Sequence, residues 1–438
     1  MRRLISVLVA VFFMTGMVVA QNTSTTTQDG KANTAEVNQT LDEGSNTSTV
    51  GQYGGENLPN EVTVDQTTTN AGINISNVQQ GYGGADLMTA EVNQSADNGE
   101  NFSDIFQGNN VKTAKVDQEA KTDGYNESYI TQTSGGKSDP LSTVNITQIA
   151  LDYNSANGGQ NISDINQSGI GSEADVYQKA YVSGDNNSEI GQNGSYLDAD
   201  VTQYHAGSGF VDSWIDQIGA NNQSNVWQKA INVGGINESD VGQYGGENGA
   251  NIVDVDQEVY HTGTNTSTIT QGKESNSSAD RNEAVVDQYA EYGGTNESTL
   301  EQVNNSHYAE IDQIANGGTN SSVIYQGGHS YIGDGGWIDL EQTANGGQNI
   351  SDINQHANYP NHMEEARATV TQTTNGGIND LDLDQYGKFN TATVTQTHNV
   401  SGGLMNSAVI EQYGNGQNTV TVNQIGAGNS ATEIQTNL

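Results

Sequence analysis

Carboxylates two residues apart recur along this chain, at Asp254 and Asp256 and again at Asp380, Asp382 and Asp384. On an extended strand, residues at that spacing share one face. Such a row could hold a divalent cation, calcium being the usual guest of oxygen ligands; it reads equally as a solvated face that keeps chains apart. His356, His362, Glu364 and Glu365 have the composition of a metal site, but no helix or strand period brings them to one point. Hydrolysis by paired carboxylates requires one unique cleft, whereas these acids recur with no pair set apart. No catalytic residue, metal site or cofactor is assigned, and an enzyme is not expected; calcium on the acidic face is the one ion kept as a candidate. Asn-x-Ser/Thr triplets at Asn22, Asn46, Asn74 and Asn161 have the pattern of glycosylation acceptors, a reading that depends on which way each Asn points.

What positions these groups is a repeat. The chain returns to one seven-residue pattern, as in Asn22 to Gln28, Asn33 to Gln39 and Asn46 to Gln52, and continues to Gln435, giving thirty-one units. Positions one, three, five and seven are Asn, then Ser, Ala or Val, then Val, Ile or Leu, then Gln. That period of two places them on one face of a β-strand. Charge agrees with the assignment: among these inward positions only Lys112 and Glu433 are charged, while acids crowd the alternate ones. A buried Asn cannot carry a glycan, so the inward Asn-x-Ser accounts for the triplets better than glycosylation does.

Two strand types alternate. Position three is Ser in thirteen of the sixteen odd units (Ser24, Ser48, Ser163) and Ala, Val or Ile in fourteen of the fifteen even ones (Ala35, Ala392), Ser224 being the exception. Each coil therefore holds two strands. Seven of the eight shortest connectors lead from odd to even units. The return connectors are longer and often end in Gly-Gly-x-Asn, as at Gly317 to Asn320, where glycine can supply a positive φ. Pro59, Pro140 and Pro360 all fall in connectors, where no ladder donor is lost. The expected fold is all-β: a β-solenoid of about fifteen two-strand layers stacked at ~4.8 Å, with columns of Asn, Ser or Ala, Val or Ile, and Gln inside. Stacked amides can each donate to one neighbour and accept from the other, which satisfies polar groups in a dry interior.

Composition bounds the rest. Of 438 residues only 32% are hydrophobic and 6% aromatic, too few for a conventional core on that scale. A formal charge of -40 argues against nucleic acid and anionic lipid as partners. With no cysteine, stability must come from ladders rather than disulfides. Residues 1–20, with Arg2-Arg3, an apolar run from Leu4 to Phe13 and Val18-Val19-Ala20, read as a signal peptide, leaving 21–438 as one repeat domain. The run is shorter than the ~20 residues of a membrane span.

In three places the residues fit most of a known repeat: Gln28-x-Gly30-x2-Asn33-x-Ala35-x3-Gln39, Gln385-x-Gly387-x2-Asn390-x-Ala392-x3-Gln396 and Gln424-x-Gly426-x2-Asn429-x-Ala431-x3-Gln435. This resembles the curlin repeat of curli fibre subunits, as a long and divergent member. Asn161, Ser163 and Gln167 represent the odd strands, which begin with Asn where the family places Ser six residues before Gln. The resemblance implies a secreted, cell-surface subunit that leaves through an outer-membrane pore, meets a nucleator, and polymerises end to end into amyloid fibres of a biofilm matrix. Spacing alone adds that open strand edges at a solenoid's ends can accept another copy; Glu433, inward in the last strand, would act as a brake. The competing reading is a monomeric solenoid acting as an adhesin or an ice- or ligand-binding surface, for which Thr391-x-Thr393-x-Thr395 is the motif.

Overall fold

A computed structural model of the chain describes residues 21–29, 33–41, 44–53, 60–68, 72–81, 88–108, 112–133, 142–151, 159–182, 184–207, 209–231, 234–244, 250–272, 281–303, 306–328, 336–357, 365–399, 406–414, 416, 418–426 and 429–437. The signal peptide of residues 1–20, the turn glycine Gly30 and the three prolines lie outside the described residues. The fold is all-β. Its contacts fall into two compact units, Met1–Gln192 and Asn193–Leu438.

The first unit holds β1 (Asn22–Asp29), β2 (Thr34–Thr40), β3 (Asn46–Tyr53), β4 (Asn60–Thr67), β5 (Gly72–Gln79), β6 (Met88–Gly108), β7 (Lys112–Thr133), β8 (Ser142–Ala150), β9 (Gln160–Ile170) and β10 (Ser172–Val182). It also contains the start of β11 (Asn186–Gly207). The second continues with β12 (Phe210–Ala230), β13 (Ile236–Tyr244), β14 (Ala250–Val259), β15 (Thr264–Gln271), β16 (Arg281–Ala290), β17 (Thr295–Val303), β18 (Ser306–Asn316), β19 (Thr319–Gly328) and β20 (Gly336–Asn345). It ends with β21 (Gln348–Ala357), β22 (Glu365–Thr374), β23 (Ile378–Tyr386), β24 (Phe389–His398), β25 (Asn406–Gly414), β26 (Thr419–Ile425) and β27 (Ser430–Asn437). The strands β6, β7, β11 and β12 are long enough to carry two repeat units each through an arc.

Within each unit every repeat strand pairs, parallel and in register, with the strand two along. Thus Gln28 stands on Gln52, Gln39 on Gln66, and Gln288 on Gln313. Odd strands form one sheet and even strands the other, the two-strand coil expected from the alternation of Ser and Ala. Register is held because a one-residue slip would turn the whole apolar set outward. The fifth-position column shows the result: Val64, Val92, Val116, Ile146 and Val176 stack in turn, each 2% exposed or less. Burying each such side chain is worth roughly 1.5–3 kcal/mol.

Even strands have a further inward position beyond the seven-residue unit. Two residues after Gln, Ala96, Ala120, Ala150 and Ala180 form a buried column, as do Ala230, Val259, Ala290, Ala315 and Ala344. The arcs lie against this column. In the Gly-Gly arcs the first glycine takes the positive φ: +90° at Gly317, +90° at Gly346 and +96° at Gly376. The second is there for space: a Cβ on Gly347 would stand 1.4 Å from the carbonyl oxygen of Gly318 in the layer beside it. The two motif glycines among the described residues differ from each other. Gly426 has φ +123°, whereas Gly387 is not among the positive-φ residues and instead donates its N–H to the Tyr413 carbonyl at 3.0 Å.

Candidate functional site: buried amide ladders and outer rows

The interior of each sheet carries a chain of glutamine amides. On the even sheet of the second unit, Nε2 of Gln424 donates to Oε1 of Gln396 at 2.8 Å, Gln396 to Gln372 at 2.8 Å, and Gln372 to Gln342 at 2.9 Å. The run continues without a break through Gln313, Gln288, Gln257 and Gln228 to Gln203, each step 2.7–2.9 Å. The first unit repeats the arrangement, with Gln178, Gln148, Gln118 and Gln94 on one sheet and Gln192, Gln167, Gln132 and Gln107 on the other. The second amide hydrogen goes across the interior to a backbone carbonyl of the facing strand, as from Gln288 to Glu297 at 2.9 Å. Each glutamine of these runs thus joins layer to layer and sheet to sheet, whereas Gln80, Gln271 and Gln302 bond only across to a facing carbonyl and leave a buried Oε1 unpartnered.

The same geometry explains the alternation of Ser and Ala. Glutamines of even strands also approach the serine hydroxyls of odd strands: Gln288 to Ser267 at 3.3 Å, Gln313 to Ser298 at 3.2 Å, Gln342 to Ser322 at 3.2 Å. Glutamines of odd strands face Ala, Val or Ile instead. Ser224, the one serine at position three of an even unit, confirms the rule, because Gln243 of the odd sheet donates to its hydroxyl at 2.9 Å.

Asparagines at position one of the odd strands form a second ladder that runs the opposite way. Asn237 donates to Asn265, Asn265 to Asn296, Asn296 to Asn320, Asn320 to Asn349 and Asn349 to Asn379, each at 2.9 Å. In the first unit Asn74, Asn101, Asn126, Asn161 and Asn186 do the same. In these runs glutamines donate toward earlier strands and asparagines toward later ones, so the two amide chains oppose their dipoles. Asn46, Asn74 and Asn161 are fully buried; the triplets that looked like glycan acceptors are ladder positions.

Within this geometry, residues 379–414, from β23 to β25, match the family model described as the curlin associated repeat. The chain carries a curlin repeat. No curated protein and no solved structure matches the chain. Each signature residue of the matched curlin segment has a physical task. Gln385 donates to Gln355 at 2.7 Å and to the Thr391 carbonyl at 3.2 Å. Asn390 closes the tight arc on the Gln385 carbonyl at 3.2 Å. Ala392 is fully buried, and Gln396 extends the even ladder. Beside them Tyr386 and Tyr413 stack at 4.6 Å, with His356 edge-on to Tyr386 at 4.7 Å.

The ladder residues expected to be buried divide by position. Asn33, Ala35, Gln39, Asn46, Ser48, Gln52, Asn161, Ser163, Gln167, Asn390, Ala392 and Gln396 are buried. On β1, Asn22, Ser24 and Gln28 are only half-buried, though Gln28 still donates to Gln52 at 3.1 Å. On β27 the expectation of a dry inner face fails: Ala431, Glu433 and Gln435 are all exposed and Asn429 is half-buried, although Gln435 reaches Gln412 at 3.3 Å. Glu433 stands on Ile410 in the inward register, and its carboxylate meets solvent because no strand covers that face among the described residues. Lys112, the other inward charge, is fully buried between Met88 and Ser142 and donates to the Thr133 carbonyl.

Outside, the acids form columns. Asp256, Asp287, Asp312 and Glu341 stand on one another in successive layers of the even sheet. Burial, reinforced by these like-charged neighbours, pushes the carboxyls of Asp256 and Asp312 up to about 6. Asp254 is raised by burial. Asp382 and Asp384 are raised by burial and by neighbouring carboxylates, Asp352 and Glu411 among them, and Asp380 lies one pair away in the same strand. Among the described residues no three acids or histidines converge into a group that could hold a metal ion; His362 and Glu364 lie outside them. No helix among the described residues is long and apolar enough to cross a membrane.

Two features escaped the sequence reading. One is the inward alanine two residues after Gln, whose signal was the recurrent Gln-x-Ala of even units. The other is an exposed amide ladder along the arcs, Asn399 to Asn375 to Asn345 to Asn316 at 2.6–2.8 Å. Its signal was the Asn that stands three residues after each of these glutamines.

Proposed function

We propose that this chain is a structural subunit of an extracellular, curli-like amyloid fibre, adding copy to copy in a biofilm matrix and at surfaces. The observation that carries the reading is the stacking of identical amides on parallel, in-register strands, the internal geometry of a cross-β fibre. A ladder of this kind gains a bond with every layer added, and the half-buried row of β1 and the exposed row of β27 are edges at which a further strand has donors and acceptors to meet. The curlin repeat supports secretion and a structural rather than catalytic role; by the same likeness, a nucleator and an outer-membrane export pore are its partners, and no cofactor is required.

The test is to refold the chain from residue 21 onward and follow thioflavin fluorescence and electron micrographs with and without preformed fragments. Fibres whose fragments abolish the lag are the expected result. A stable monomer at high concentration, with or without calcium, would exclude the fibre and favour a monomeric surface protein.

A further inference from the structure

The outer face of the second unit's even sheet changes character toward its end. On β16, β18 and β20 the outward rows carry acids, and on β22, β24 and β26 they are mostly threonine, with Arg367 beside Thr391 and Asn423 beside Thr395. Thr369, Thr393 and Thr421 stand on one another in one column, Thr371 and Thr395 in the next, and Thr391 stands on Thr419 in a third. The register between these strands runs without a bulge, so the hydroxyls repeat in two directions, about 4.8 Å across strands and about 6.8 Å along them. β-Branching leaves threonine few χ1 choices on a strand, and each carries a hydroxyl that donates and accepts beside a methyl that does neither.

Charge and area narrow what such a face can hold. The columns carry no carboxylate, on a chain with a formal charge of -40; Asp339 and Glu341, standing on Thr369 and Thr371, mark the border. A cationic partner therefore has nothing to pair with here. Three strands by four outward positions cover roughly 400 Å², so two copies meeting on it would bury about 800 Å², short of the roughly 1,200 Å² of a specific interface. A rigid, two-dimensional lattice of hydroxyls and methyls, with the one cation at its margin, Arg367, held over the Trp337 ring, instead suits a ligand that is itself a lattice of hydroxyl groups. Both spacings lie near oxygen repeats on the prism face of hexagonal ice. We propose that the threonine face of β22, β24 and β26 is an ice-binding site, on which ordered water bridges the hydroxyl rows to the crystal.

The inference stands apart from fibre assembly, because a monomer and a fibre would both present the face. The test freezes a dilute solution of the refolded chain slowly and measures how much protein enters the growing ice. The unmodified chain should be enriched in the ice. Thr393→Lys, which places a charged stem at the centre of the lattice, should lower uptake about ten-fold. Thr268→Lys, outward on the odd sheet, should leave it unchanged, with circular dichroism matching the parent for both variants. Rejection of the unmodified chain by ice would overturn the proposal, as would equal uptake of the Thr393→Lys chain. Loss of lateral bundling in that variant, without ice uptake by the parent, would also overturn it and give the face to a second copy.

Discussion

Gln372 and Ser351 lie on opposite sheets and are joined across the interior: one Nε2 hydrogen of the glutamine goes to Gln342 at 2.9 Å along the sheet, and the other is shared between the serine Oγ at 3.0 Å and the Asp380 carbonyl at 3.1 Å. This contact makes the two strand types different: even-sheet glutamines opposite a serine have a side-chain partner there, and of the odd sheet's glutamines Gln243 has one, in Ser224. Ser351→Ala should lower unfolding stability by about 1 kcal/mol, the net worth of one buried hydrogen bond. Ala368→Ser should be neutral or stabilising, since it offers Gln385 the partner that Ser224 offers Gln243. Denaturant midpoints of the two variants check the asymmetry; equal losses would deny it.

The ladder itself should be far less tolerant. Gln288 donates to Gln257 at 2.8 Å and to the Glu297 carbonyl at 2.9 Å, and accepts from Gln313 at 2.7 Å. Gln288→Ala strands all three partners in a dry interior, and should cost about 3 kcal/mol or more. Hydrogen exchange would locate the damage in β14, β16 and β18, leaving the first unit as protected as before.

Adjacent glycines should respond for different reasons. Gly346→Ala meets no neighbouring atom within 4 Å and suffers only from φ +90°, a strain of about 1 kcal/mol. Gly347→Ala would drive its Cβ into the Gly318 carbonyl at 1.4 Å, forcing the stacked arcs apart at a cost of about 3 kcal/mol or more. Thermal unfolding of the two single variants separates conformational strain from lack of space.

Acid should stabilise this protein. The carboxyls of Asp256, Asp312 and Asp212 stand at about 6 in the folded chain against an ordinary 3.8. Between those values the folded state binds more protons than the unfolded one, so stability rises as pH falls through the window and is lowest above it. His307 pulls the other way: burial depresses it from 6.5 to about 3, so stability is lost as pH falls below 6.5. Several acids oppose one histidine, and the melting temperature should climb from pH 7 to pH 4. Asp312→Asn should raise it at pH 7 and leave pH 4 unchanged. A parent chain that melts lower at pH 4 would contradict the balance.

The period-two pattern and the Ser/Ala alternation made the strands, their faces and the two-strand coil legible, because both are local signals repeated many times. The direction of the amide chains was not legible, since Asn74 and Gln118 look alike until their neighbours are placed. Nor was the second role of glycine, because Gly318 and Gly347 are distant in sequence and meet only when layers stack. Exposure of Ala431 and Gln435 escaped because their repeat matches buried ones; what differs is that no strand covers them among the described residues. The threonine face was visible at Thr391, Thr393 and Thr395, but its second dimension required the register with Thr369 and Thr421.

In this fold glutamine amides bond to glutamine amides in successive layers. Solid-state NMR of fibres grown from chain labelled at glutamine with ¹³C and ¹⁵N reads this directly. The structure predicts strong through-space cross-peaks from side-chain Nε2 of one glutamine to Cδ of another, slow to exchange with solvent. Glutamine amides that exchange freely and show no such contacts would contradict it.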